Sequence, residues 1–70
     1  MLKITQIINH LAKLNLSTID ILIELNDITD NHRSFYFDLT EQECTSIELI
    51  MSDDNKYMSV IAYLNMVKSM

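Results

Sequence analysis

Seventy residues make one domain, and a chain this short hides only roughly 60% of its unfolded surface, so its stability needs a further aid. A single cysteine excludes an internal disulfide, and two histidines far apart in sequence make no Cys/His metal cluster, which leaves self-association or docking on a partner. All ten acids fall between Asp20 and Asp54, where Arg33 is the only base, so that segment carries −9 within a net charge of −5; a direct reader of DNA or RNA shows a basic patch instead.

Glycine and proline are both absent, where ordinary usage of about 7% and 5% would supply roughly eight of them together. Tight hairpins lose their preferred residues and helix interiors stay unbroken, which favours an all-α protein. The lone thiol points to a reducing compartment. Gln6, Asn9, His10 and Lys13 interrupt any leader-like apolar run. The longest apolar stretch, Val60 to Leu64, is far short of the ~20 residues of a membrane span. The expectation is a cytoplasmic protein with no membrane contact. Abundant Ile and Asn beside scarce Ala and Arg suggest an AT-rich gene of bacterial or phage origin.

The first predicted element is an amphipathic helix from Leu2 to Leu14. Ile4, Ile8 and Leu11, with Ile7, Leu11 and Leu14 beside them, form its apolar stripe, opposite Lys3, Gln6, His10 and Lys13. Asn15 suits a left-handed stop. Ser17 and Asp20 then make a variant capping box for a second helix. Along it Asp20, Glu24 and Asp27 repeat at i, i+4, i+7 as an acidic ridge, while Ile19, Ile21, Leu22, Ile23, Leu25 and Ile28 cover the rest. A helix this apolar is expected to be buried on more than one side.

A rival pattern runs through the same residues. Ile19, Ile21, Ile23 and Leu25 alternate as a strand would, as do Phe35, Phe37 and Leu39, with residues 26–33 as a hairpin loop between them. Leu22, the capping signal and the absence of glycine weigh for the helix. Residues 29–38 read as a loop, with an extended aromatic segment near 33–39 that packs back onto the helices.

Thr40 and Glu43 form a full capping box for a third helix with the apolar stripe Cys44, Ile47, Ile50 and Met51. Ser52, Asp53 and Asp54 make a turn and a cap for a last helix to about Ser69, with Lys68 at the negative end of its dipole. Its expected core face is Tyr57, Ile61 and Leu64, flanked by Val60 and Val67. Met58, Tyr63, Met66 and Met70 remain over on other faces.

No residue set suggests catalysis, a metal or a cofactor. His10 and His32 read as surface histidines without partners, and Cys44 as a buried thiol on an apolar stripe. Asp53, Asp54 and Asn55 lack the glycine and closing glutamate of a calcium loop. The candidate partner-binding residues are the acidic ridge Asp20, Glu24 and Asp27. The candidate apolar interface is Tyr63, Met66 and Met70, of residue types enriched at interfaces.

Thr18-Ile19-Asp20 and Leu39-Thr40-Glu41-Gln42-Glu43 resemble stretches of the Hha and YmoA family of small helical modulators of nucleoid proteins. The helix from Asn55 to Leu64 is similar to that of small acidic bacterial connector proteins. The stretches stand at different spacing here, so no residue role is carried over.

The expected protein is therefore a single all-α domain of three to four short helices that self-associates. It regulates or inhibits another protein, one with a basic surface, by binding and without chemistry. A nucleic-acid mimic and a chaperone for a secreted protein are the other readings.

Overall fold

The computed structural model describes residues 3–69, which form four helices: α1 (Ile4–Lys13), α2 (Thr18–Asn31), α3 (Glu41–Ser52) and α4 (Asp54–Lys68). No strand occurs among the described residues, so the hairpin reading of residues 19–39 falls. Leu2, expected in the first helix, lies outside the described residues.

The helix ends follow from local chemistry. At the start of α1 the Lys3 amide donates to Oε1 of Gln6 across 3.0 Å. At its end the amides of Asn15 and Leu16 donate to the carbonyls of Ala12 and Leu11, a Schellman closure in which Asn15 takes φ 65° in the role glycine usually has. Ser17 then caps α2, its hydroxyl accepting from the Asp20 amide at 3.1 Å. Only this half of the expected box forms, because the Asp20 side chain is one methylene shorter than the glutamate that normally reaches back. Thr40 and Glu43 form both halves of theirs, at 3.0 and 3.1 Å. Asp53 closes α3 and opens α4, where its carboxylate accepts from the Lys56 amide.

The core draws on every helix: Ile7, Ile8 and Leu11 from α1, Ile21, Leu25 and Ile28 from α2, Cys44 and Ile47 from α3, Val60 and Leu64 from α4. Each fully buried large side chain contributes about 1.5–3 kcal/mol. The closest pairing is α2 on α3, with α4 packed against α3, α1 and α2. A Cα radius of gyration of 11.1 Å equals what a packed domain of this length has, about 11 Å.

Two expected faces are corrected. In α2 the apolar wrap is buried on one side only: Ile21, Leu25 and Ile28 point in, while Ile19 and Ile23 lie in solvent. In α4 the buried face is Val60 and Leu64, with Tyr63 packed against the core, and Tyr57 and Ile61 are only half-buried. Tyr63 is anchored on that side. Its ring packs on apolar neighbours while its hydroxyl donates to Oδ1 of Asn9 across 2.9 Å, tying α4 to α1.

The connector between α2 and α3 has no regular secondary structure over residues 33–40. Its aromatics divide. Phe37 and Leu39 pack on the core, and the Phe37 ring meets His10 edge-on at 5.1 Å. Phe35 does not pack back; it is 82% exposed.

Candidate protein-binding surface

The exposed side of α2 is built by helical periodicity. With Ile21, Leu25 and Ile28 turned inward, Ile19, Ile23 and Asp30 fall on the outer stripe, flanked by Asp20 and Asp27. The chain then leaves α2 through His32, in the left-handed conformation at φ 53° and ψ 41°. Two residues later Ser34 folds back, and its hydroxyl donates to Oε1 of Glu24 at 2.6 Å. The Tyr36 amide donates in turn to the Ser34 oxygen at 3.1 Å. These bonds set Phe35 beside α2.

The result is an open hollow of about 460 Å³ lined by Ile23, Glu24, Asn26, Asp27, Asp30 and Phe35. Two exposed apolar side chains form its walls, and Asp27 and Asp30 stand at its edge. Phe35 and Ile23 were not among the site residues read from the sequence. The available signal was Ile19 and Ile23 at i, i+4, off the stripe of Ile21, Leu25 and Ile28.

The sequence-predicted ridge is only partly a surface. Asp20 is exposed, and Asp27 is half-buried and accepts from the Asn31 side-chain amide. Glu24 is 7% exposed, spoken for by Ser34. The three acids therefore do not present a continuous row of carboxylates.

Of the predicted interface residues, Tyr63 and Met66 are neighbours three residues apart on α4. Tyr63 lines a second, apolar groove of about 480 Å³ between α1 and α4, with Ile4, Ile8, Ile50 and Val60. Met66 is exposed. Met70 lies outside the described residues.

His32, expected without partners, has two. Its Nδ1 lies 2.6 Å from Oε1 of Glu41 and its Nε2 lies 2.8 Å from Oε2 of Glu48, both on α3. Hydrogen bonds to Glu48 and then to Glu41 raise its pKa above the ordinary histidine value. Nothing in the sequence pairs residue 32 with residue 48; the α2–α3 packing does.

Cys44 is buried, and its thiol is pushed up by desolvation, with the negative charges of Glu41 and Glu43 adding to the effect. That is the opposite of what an activated thiolate requires. Among the described residues no group of three or more His, Cys, Asp or Glu is placed to hold a metal ion. No helix among them is long and apolar enough to cross a membrane. Compared with protein-family models, with curated proteins and with solved structures, the chain matches none.

Proposed function

We propose that this protein is a non-catalytic binding protein that holds a basic, amphipathic segment of another protein against α2, and thereby regulates or inhibits that partner. The observation that carries the reading is the hollow walled by Ile23 and Phe35 and edged by Asp27 and Asp30. An exposed aromatic beside an exposed β-branched residue offers the apolar anchors that dominate binding energy. The surrounding acids add long-range attraction for a cationic partner, which raises association rates and weakens with salt. A bacterial or phage setting is the composition's contribution to the proposal.

The nucleic-acid mimic is the weaker reading. It needs carboxylates in a regular solvent-facing row, and Glu24 is withdrawn from that row by Ser34. Self-association is a separate proposal, favoured by the apolar α1–α4 groove that Tyr63 lines.

The test is an isotope-edited NMR titration with a designed Lys/Leu amphipathic helix. Controls are the same peptide with its leucines replaced by serine, and a Glu/Leu counterpart. Supporting results are shifts confined to the amides around Ile23, Asp27 and Phe35, loss with the serine peptide, and binding about thirtyfold weaker in Phe35→Ser, a hot-spot loss of about 2 kcal/mol. Equal binding of the acidic peptide, or shifts only along the α1–α4 groove, would overturn it.

A further inference from the structure

The imidazole of His32 sits between two carboxylates carried by one helix. Glu41 and Glu48 are seven residues apart on α3, two turns along the same face, and each reaches one ring nitrogen. An ionised carboxylate offers only acceptors, and a neutral imidazole offers only one donor. Hydrogen bonds on both sides, at 2.6 and 2.8 Å, therefore require the doubly protonated ring. Removing that proton leaves a nitrogen lone pair facing a carboxylate oxygen at hydrogen-bond distance, where one bond becomes a repulsion.

The position of the ring makes this consequential. His32 is the left-handed residue that ends α2; its amide donates to the Ile28 carbonyl at 2.9 Å, and the chain turns there into the segment bearing Ser34 and Phe35. The ring thus joins the end of α2 to α3 just before Phe35, one wall of the hollow. Among the described residues the charged groups that act on it are Glu41 and Glu48. Asp30 and Arg33, its charged neighbours along the chain, are both exposed.

We propose that His32 is a proton-operated latch: as an imidazolium held by Glu41 and Glu48 it fixes the turn that places Phe35 beside Ile23, and on losing its proton it frees that turn. The part that concerns the hollow rests on the binding function proposed above; the latch itself does not. Both glutamates raise the affinity of the ring for its proton, Glu48 more than Glu41. The latch is accordingly closed on the acid side and opens as pH rises through the elevated His32 value.

The test follows the His32 ring protons and the Ser34 and Phe35 amides by NMR through a pH titration of the full chain. The expected result is a His32 midpoint above the ordinary histidine value of about 6.5, with the two amides tracking the same midpoint. In Glu48→Gln the midpoint falls, and in the Glu41→Gln, Glu48→Gln double variant it falls further. A wild-type midpoint at or below the ordinary value, or Phe35 and Ser34 amides that ignore it, would overturn the latch. His32→Asn, which keeps a residue tolerant of the left-handed turn, should abolish the pH response of both amides; persistence of that response would also overturn it. The Lys/Leu peptide is then titrated on both sides of the midpoint, and tighter binding on the acid side extends the latch to the hollow. A latch that titrates as expected in a protein that binds the peptide at neither pH sinks the binding proposal while leaving the latch in place.

Discussion

The Ser34 hydroxyl donates to Oε1 of Glu24 across 2.6 Å, and this bond joins the connector to the middle of α2. It gives a carboxylate that is almost wholly buried its partner, and it positions the neighbouring phenylalanine outward. The two effects are coupled, so a mutation aimed at one is read in the other.

Replacing Ser34 with Ala takes that donor away and leaves the Glu24 oxygen to be solvated by rearrangement of the connector. A hydrogen bond to a charged group contributes about 1.5–3 kcal/mol. The expected result is an unfolding free energy lowered by that amount, read as a lower urea midpoint with an unchanged slope. Glu24→Gln retains an acceptor and should cost less. Equal stability of Ser34→Ala and wild type would show that water replaces the hydroxyl at no cost.

Asn15 closes α1 with φ 65°, a conformation that costs most residues about 1–2 kcal/mol and glycine almost nothing. Asn15→Gly should leave thermal stability unchanged or raise it. Asn15→Val should lower the melting temperature by several degrees, since 1 kcal/mol is about 4–8 °C in a domain of this size. Calorimetry on the pair settles the order.

The facing of α4 is tested by two neighbouring positions. Leu64 is fully buried and Ile61 only half so. Leu64→Ala should cost about 2–5 kcal/mol, and Ile61→Ala clearly less. Chemical denaturation of both variants distinguishes this facing from the one that periodicity suggested, which predicts comparable losses.

Stability should depend on pH through His32. Its folded-state pKa is raised, so the folded protein holds the proton more tightly than the unfolded chain. The resulting stabilisation is fully present below the unfolded value of about 6.5 and disappears as pH rises through the raised folded value. The difference in denaturation midpoint between wild type and His32→Asn should therefore be larger at acidic than at alkaline pH. A difference that is flat across this range would mean that the ring gains nothing from Glu41 and Glu48.

The residues that start and stop the helices carry their instructions locally. Ser17, Thr40 and Asp53 each cap an amide three residues away, and Asn15 closes a helix through bonds spanning at most five residues. Such contacts span about one turn of chain, so the all-helical architecture and most of its boundaries are legible in the sequence, although helices this short persist only once packed. The capping of α2 also explains why alternation at Ile19, Ile21, Ile23 and Leu25 did not produce a strand.

What periodicity left open is which way a helix faces when apolar residues surround it, and α2 and α4 are both of that kind. Their orientation is fixed by packing of the core, and long-range polar contacts accompany it: Ser34 on Glu24, Tyr63 on Asn9, and Glu48 on His32. Those meetings draw Glu24 out of the acidic ridge, take Tyr63 into the α1–α4 groove and give His32 two carboxylates, while Phe35 stays in solvent. Each joins groups at least ten residues apart in the chain, and their distances are set only once the helices have packed. Tertiary structure therefore decided the surface, because helix spacing specifies neighbours along one helix and says nothing about those on the next.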